Sequence, residues 1–125
     1  MLILNFTSKV LGQDAAKKLL KKEVIQTLRS PNEDLVEALL HSEIKIGNEI
    51  EVALDGEVIG RAHLSSIDRT NWDTMTLLDA SRGGFTSLPE LSDALHRAGY
   101  RFSPIEQYQF YRVQFTWSNK GEGNG

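Results

Sequence analysis

The segment Glu23-Val24-Ile25-Gln26-Thr27-Leu28-Arg29-Ser30 places a hydroxyl and a guanidinium two residues apart. On a strand, Ile25, Thr27 and Arg29 share one face, with Thr27 and Arg29 roughly 7 Å apart. That spacing suits two contacts to one ligand. The hydroxyl can bond a base or sugar, and the guanidinium can grip a phosphate. Gln26 and Ser30 add polar groups beside them, and Lys21 and Lys22 lie just before. The structural alternative is a half-buried threonine next to an arginine paired with an acidic neighbour. Lys17, Lys18, Lys21 and Lys22 likewise read either as the solvated face of an amphipathic helix or as a rim that attracts phosphate.

Other candidates are more dispersed. Arg61, His63 and Ser65 fall on one face of a strand and either line a ligand cleft or face water. Arg82-Gly83-Gly84 reads as a helix-ending turn, with Arg82 near the same cleft. Trp72, Tyr108 and Tyr111 are stacking platforms or packing residues. His41, His63 and His96 are scattered, so neither a metal site nor a cofactor is expected. There is no G-x-G-x-x-G and no phosphate-binding P-loop.

The elements that position these residues belong to a chain of 125 residues, the size of one domain. A net charge of -3 argues against a protein coated in positive charge, although the first thirty residues are basic and the next segment acidic. Cysteine is absent. "MLILNF" is too short for a signal-peptide core, and no apolar run suits a membrane span, so a cytoplasmic protein with no membrane partner is expected. The sequence leaves the oligomeric state open.

Periodicity predicts a strand over Leu2–Phe6, a helix over Gln13–Lys22 and a strand over Val24–Leu28. Ser30-Pro31-Asn32 is a break, with Asn32 as N-cap of a helix carrying Leu35, Val36, Leu39 and Leu40. Glu49–Asp55 alternates as a half-buried strand, and Asp55-Gly56 signals a hairpin to Val58–Ile67. A helix over Thr74–Arg82 and a second one capped by Ser87 precede a last strand over Gln107–Trp117. Ile50, Val52, Leu54, Val113, Phe115 and Trp117 are expected in one core. The expected fold class is α+β, a small, mostly antiparallel β-barrel with peripheral helices. Residues 1–117 form the single domain and 118–125, "SNKGEGNG", a disordered tail.

Four segments in this order resemble the ASCH domain, a relative of the PUA domain. They are "IQTLR", "IKIGNEIEV", "GGFTSLPEL" and "YQFYRVQFTW", and the similarity covers roughly residues 2–117. The resemblance implies a PUA-like barrel and a role in binding RNA or a modified nucleotide in a basic cleft beside it. One branch of the family consists of amidohydrolases acting on N4-acetylcytidine, which use the lysine and second threonine of a Lys-Thr-x-Thr-x-Arg stretch and a glutamate before the "GF" segment. Carried over, the threonine falls on Thr27 and the arginine on Arg29. The lysine position falls on Val24 and the glutamate position near Gly83, residues that cannot carry that chemistry. Lys22 and Asp79 are the nearest replacements. The expected role is therefore RNA or modified-nucleotide binding through Arg29, Thr27, Gln26, Ser30, Lys21, Lys22, Arg82, Arg61 and His63. An amidohydrolase-like enzyme or a metal-independent ribonuclease is the alternative.

Overall fold

The alternating stretch at Glu49 forms β3 (Glu49–Leu54), and Asp55-Gly56 turns it into β4 (Glu57–Asn71). Both turn residues have positive φ, 53° and 88°, as a two-residue hairpin of this twist requires. The computed structural model describes residues 2–30, 33–100 and 109–118. Asn32, Tyr108 and residues 119–125 therefore lie outside the described residues. Ser118 is described, and its backbone N–H donates to the Arg61 carbonyl at 2.9 Å.

The hairpin is the centre of a five-stranded sheet in the order β1-β3-β4-β5-β2. β1 (Ile3–Phe6) runs parallel to β3, and β5 (Gln109–Trp117) lies antiparallel to both β4 and β2 (Gln26–Arg29). β4 extends four residues past the expected Ile67 because β5 pairs with it through Asn71. A register shift between Leu64 and Ser66 sets Ser66 opposite Gln114.

Three of the four strand pairs are antiparallel, as expected, but the sheet does not close into the expected barrel. The sheet is mixed and open, with β1 and β2 at its edges. A side chain rather than a backbone ladder links those edges. Arg29 of β2 donates through Nη2 to the Asn5 carbonyl of β1 at 2.7 Å. Ile50, Val52, Val113, Phe115 and Trp117 are buried as the alternation implies, while Leu54 is half-buried.

The helices are α1 (Ser8–Leu11), α2 (Gln13–Leu20), α3 (Asp34–Leu40), α4 (Leu77–Arg82) and α5 (Leu88–Arg97). α2 buries Ala15, Ala16 and Leu19, but Leu20 is 55% exposed. α2 stops before Lys21, and Lys22 adopts a left-handed φ of 62°. β2 starts at Gln26, later than expected, because the preceding backbone bonds β5 only through the Ile25 carbonyl, which accepts from the Phe115 N–H at 3.0 Å. The Val24 carbonyl accepts from the Trp117 indole N–H at 2.7 Å, and the Ile25 N–H donates to the Arg82 carbonyl at 2.9 Å. The helix expected over Thr74–Arg82 divides into a 3-10 turn (Trp72–Thr74) and α4, because Thr76 and Asp79 form a reciprocal capping box that fixes the helix start. In α5, Ser87 accepts from the Glu90 N–H at 3.2 Å, and Leu91, Ala94 and Leu95 form the buried stripe. Among the described residues no helix is long and apolar enough to cross a membrane.

Gly84 has φ of 95°, and a Cβ there would meet Val24 Cγ2 at 2.9 Å. Gly83, its neighbour, has φ of -85° and would meet nothing closer than 3.4 Å. Gly84→Ala is expected to cost about 2–4 kcal/mol, combining a left-handed backbone with an overpacked contact. Gly83→Ala should cost under about 1 kcal/mol. Urea denaturation of both variants checks the contrast, and equal losses would contradict it.

Candidate ligand cavity beside strand β2

A cavity of about 240 Å³ lies where β2 meets the end of β1 and helices α1, α4 and α5. Leu11, Phe85, Leu91 and Leu95 give it apolar walls. Gln26, Thr27, Arg29 and Asp79 give it a polar side. A mostly apolar pocket with a few convergent polar groups is the usual form of a small-ligand site.

Arg29 is held on several sides. Its Nε donates to Thr27 Oγ1 at 3.1 Å, Nη2 reaches the Asn5 carbonyl, and the guanidinium carbon lies 4.8 Å from the Phe6 ring centroid. Nη1 stands 4.0 Å from Glu33 Oε2. Burial pushes the Arg29 pKa down, and the neighbouring Glu33 and Tyr100 oppose that push. A guanidinium stays protonated through neutral pH despite such a shift. Because Thr27 Oγ1 accepts from Arg29, its hydroxyl hydrogen is left to donate.

Gln26 is 2% exposed and joins a second group of polar residues. Its Nε2 donates to Asp79 Oδ1 at 3.0 Å, and its Oε1 accepts from Gln114 Nε2 at 2.9 Å. Asp79 Oδ2 accepts from the Thr76 N–H and hydroxyl, each at 3.0 Å. Arg112 Nε is 3.4 Å from Asp79 Oδ1, within ion-pair distance but outside hydrogen-bond geometry, so this buried N–H adds charge rather than a formed bond. Burial pushes the Asp79 carboxyl up. The bonds from Gln26 and Thr76 and the charge of Arg112 outweigh it, and the net displacement is downward. Asp79 is thus an ionised, bonded carboxylate at neutral pH.

The cavity brings together Gln26, Thr27 and Arg29 and leaves the other expected residues outside its lining. Ser30 follows Arg29, and its carbonyl accepts from the Glu33 N–H. Lys21 is exposed, and Lys22 turns its Nζ over the Trp117 ring at 5.9 Å. Arg82 is half-buried at the end of α4. Arg61 and His63 face Glu49 on β3, at 3.5 Å and 3.9 Å. Trp72 packs partly buried against the core, and Tyr111 pairs with Arg69.

This cavity is not a basic cleft. Among the described residues lining the cavity, Arg29 is the one cation, and two carboxylates, Glu33 and Asp79, accompany it. The lysines are elsewhere because α2 ends before them and the left-handed turn at Lys22 directs that side chain to Trp117. Of the two replacements considered for the hydrolase groups, Asp79 lines the cavity and Lys22 does not. Neither Tyr100 nor, within the quoted motifs, Phe85, Arg112 or Gln114 stands out in the sequence as a site residue. For the last two a signal exists: Arg112 and Gln114 are polar positions on one face of an aromatic strand, a pattern that asks for polar partners.

No family model matches the sequence, and no curated relative matches it. Solved structures do match. An ASCH domain from Lactobacillus crispatus is similar at 17% identity, with a TM-score of 0.58 over 82% of this chain and 69% of that one. A DUF984 protein from Enterococcus faecalis is similar at 11% identity, with a TM-score of 0.60 over 100% of this chain and 82% of that one. A mutant form of ZmASCH from Zymomonas mobilis is similar at 14% identity, with a TM-score of 0.53 over 91% of this chain and 67% of that one. The chain has the α+β fold of ASCH-domain structures.

Proposed function

We propose that this chain is an ASCH-domain protein that binds a nucleobase in the cavity beside β2, and that it does not hydrolyse what it binds. The base belongs to RNA or to a free modified nucleotide, met in the cytoplasm. A shared fold hosts many functions, so the reading rests on the site. The observation that carries it is an apolar cavity whose lining includes the polar groups of Gln26, Thr27 and Arg29. Apolar walls suit the faces of a base, and the polar groups suit its edge or the attached phosphate.

Hydrolysis is disfavoured by the same geometry. Among the described residues no lysine lines the cavity. Asp79 is held low by its bonds, which makes it a weak base and a poor proton donor at neutral pH.

Fluorescence anisotropy with labelled single-stranded RNA, competed by free nucleosides, tests the proposal and separates the two sources of the base. Competition by nucleosides alone indicates a base-sized ligand. With Arg29 as the cation at the cavity, the slope of log affinity against log salt should be near 0.7, the value for about one phosphate contact. Thr27→Val should weaken binding by several fold, the scale of one hydrogen bond. Replacing Lys21 and Lys22 with alanine should leave nucleoside binding unchanged. Absence of binding to both RNA and nucleosides at low salt overturns the proposal.

A further inference from the structure

Gln26 is buried, lines the cavity and belongs to a hydrogen-bond chain with a charge at one end. A carboxylate accepts and cannot donate. Asp79 therefore takes the Nε2 side of Gln26, at 3.0 Å. This turns Gln26 Oε1 towards Gln114, which must offer its own Nε2, at 2.9 Å. Gln114 is left to present Oε1 to the Ser66 hydroxyl, at 2.7 Å. The charge on Asp79 thus sets the direction of three successive bonds across β2, β5 and β4. Each amide could otherwise turn by half a rotation and exchange its donor with its acceptor. An amide nitrogen carries two hydrogens, and Asp79 takes one of those on Gln26.

We propose that Asp79 is a positioning residue for ligand specificity: by locking the Gln26 carboxamide, it makes the cavity present an N–H donor, so the bound base must offer an unprotonated ring nitrogen there. The inference rests on the base-binding reading of the cavity. A base with a hydrogen on that nitrogen would oppose donor to donor in a buried place, which leaves both unsatisfied. Cytosine and adenine, with acceptor ring nitrogens on their pairing edges, are the accepted class. Uracil and hypoxanthine, which carry a hydrogen there, are rejected.

Asp79→Asn should reverse the lock. The backbone N–H of Thr76 cannot rotate away, so it holds an oxygen at the Oδ2 position. The new amide nitrogen must then occupy the Oδ1 position and face Gln26. Gln26 answers by turning its oxygen towards residue 79 and its nitrogen towards Gln114, which turns in its own place. Arg112 Nε, 3.4 Å from Oδ1, opposes a nitrogen there by its charge, but no hydrogen bond between the two has to break.

The test uses the full chain and two matched pairs of probes, cytidine with uridine and adenosine with inosine, titrated by calorimetry. Beside it, through-hydrogen-bond NMR couplings identify the partner of Gln26 Nε2 without any ligand. The wild type should show coupling from Gln26 Nε2 to the Asp79 carboxylate. It should favour cytidine over uridine, or adenosine over inosine, by at least about fivefold, the lower end of what one base-edge contact discriminates. Asp79→Asn should remove the coupling and shrink or invert that ratio. A purely structural Asp79 would weaken both members of a pair equally. Wild-type binding without preference, or preference for uridine and inosine, overturns the inference while leaving base binding intact. So does an unchanged ratio in a folded Asp79→Asn, and so does a wild-type Gln26 whose nitrogen is not directed at Asp79. Failure of all four nucleosides to bind overturns the base-binding reading itself and this inference with it. Should Asp79→Asn not fold, the two wild-type measurements still decide.

Discussion

Asp79→Ala is expected to destabilise the protein by about 3–5 kcal/mol, because it strips one partner from a buried charged arrangement. The carboxylate is 6% exposed and serves Thr76, Gln26 and Arg112 together. Alanine would uncap α4, orphan the Gln26 amide and leave Arg112 Nε beside no charge. At this chain length the loss corresponds to a fall in Tm of roughly 10–20 °C. The effect carries a pH signature. The folded carboxyl lies below its ordinary value, so the unfolded chain takes up a proton first as pH falls. The stabilisation is present above the ordinary aspartate pKa of about 4 and is lost as pH falls through the lower folded value. Urea unfolding of wild type and Asp79→Ala should therefore differ by a constant amount from pH 7 to 5, and the difference should narrow in acid. A difference of unchanged size in acid would show that alanine acts through packing or capping alone.

Arg29→Met is expected to cost about 2–4 kcal/mol. It retains the aliphatic stem but removes two charged hydrogen bonds, of which the one to the Asn5 carbonyl alone is worth about 1.5–3 kcal/mol, and a cation over an aromatic face. The Asn5 carbonyl loses its donor, and with it goes the side-chain link between the two edge strands. Arg29→Lys should recover under half of the loss, since an ammonium cannot bond Thr27 and Asn5 in the same fork. Hydrogen exchange should rise in β1 and β2 more than in β4 of Arg29→Met. Uniform exchange across the sheet would contradict the role assigned to Arg29.

Much of this architecture is legible locally. Glu49–Leu54 alternates because one face is wet, and Asp55-Gly56 supplies the two positive φ values its hairpin needs. Thr27 and Arg29 are adjacent on one strand, so their pairing follows from the pleat alone. What the sequence hides is non-local. Nothing in Ile3–Phe6 announces that its neighbour is β3, in parallel, or that β1 ends the sheet rather than closing it onto β2. The same limit applies to the lysines. Their helical spacing is visible, but the left-handed residue that turns Lys22 onto Trp117 depends on a partner far along the chain. Asp79 sits a helical turn from the position that the family resemblance marks, and only the capping box with Thr76 fixes where its carboxylate points.

The cavity beside β2 is tested most directly by amide NMR, titrating the labelled protein with cytidine and with a short single-stranded RNA. The account predicts saturable shifts at Gln26, Thr27 and Arg29, and at Gly83 and Phe85 across the cavity, with the lysines of α2 unmoved by the nucleoside. Shifts confined to Lys17–Lys22, or none at all with either probe, would contradict it.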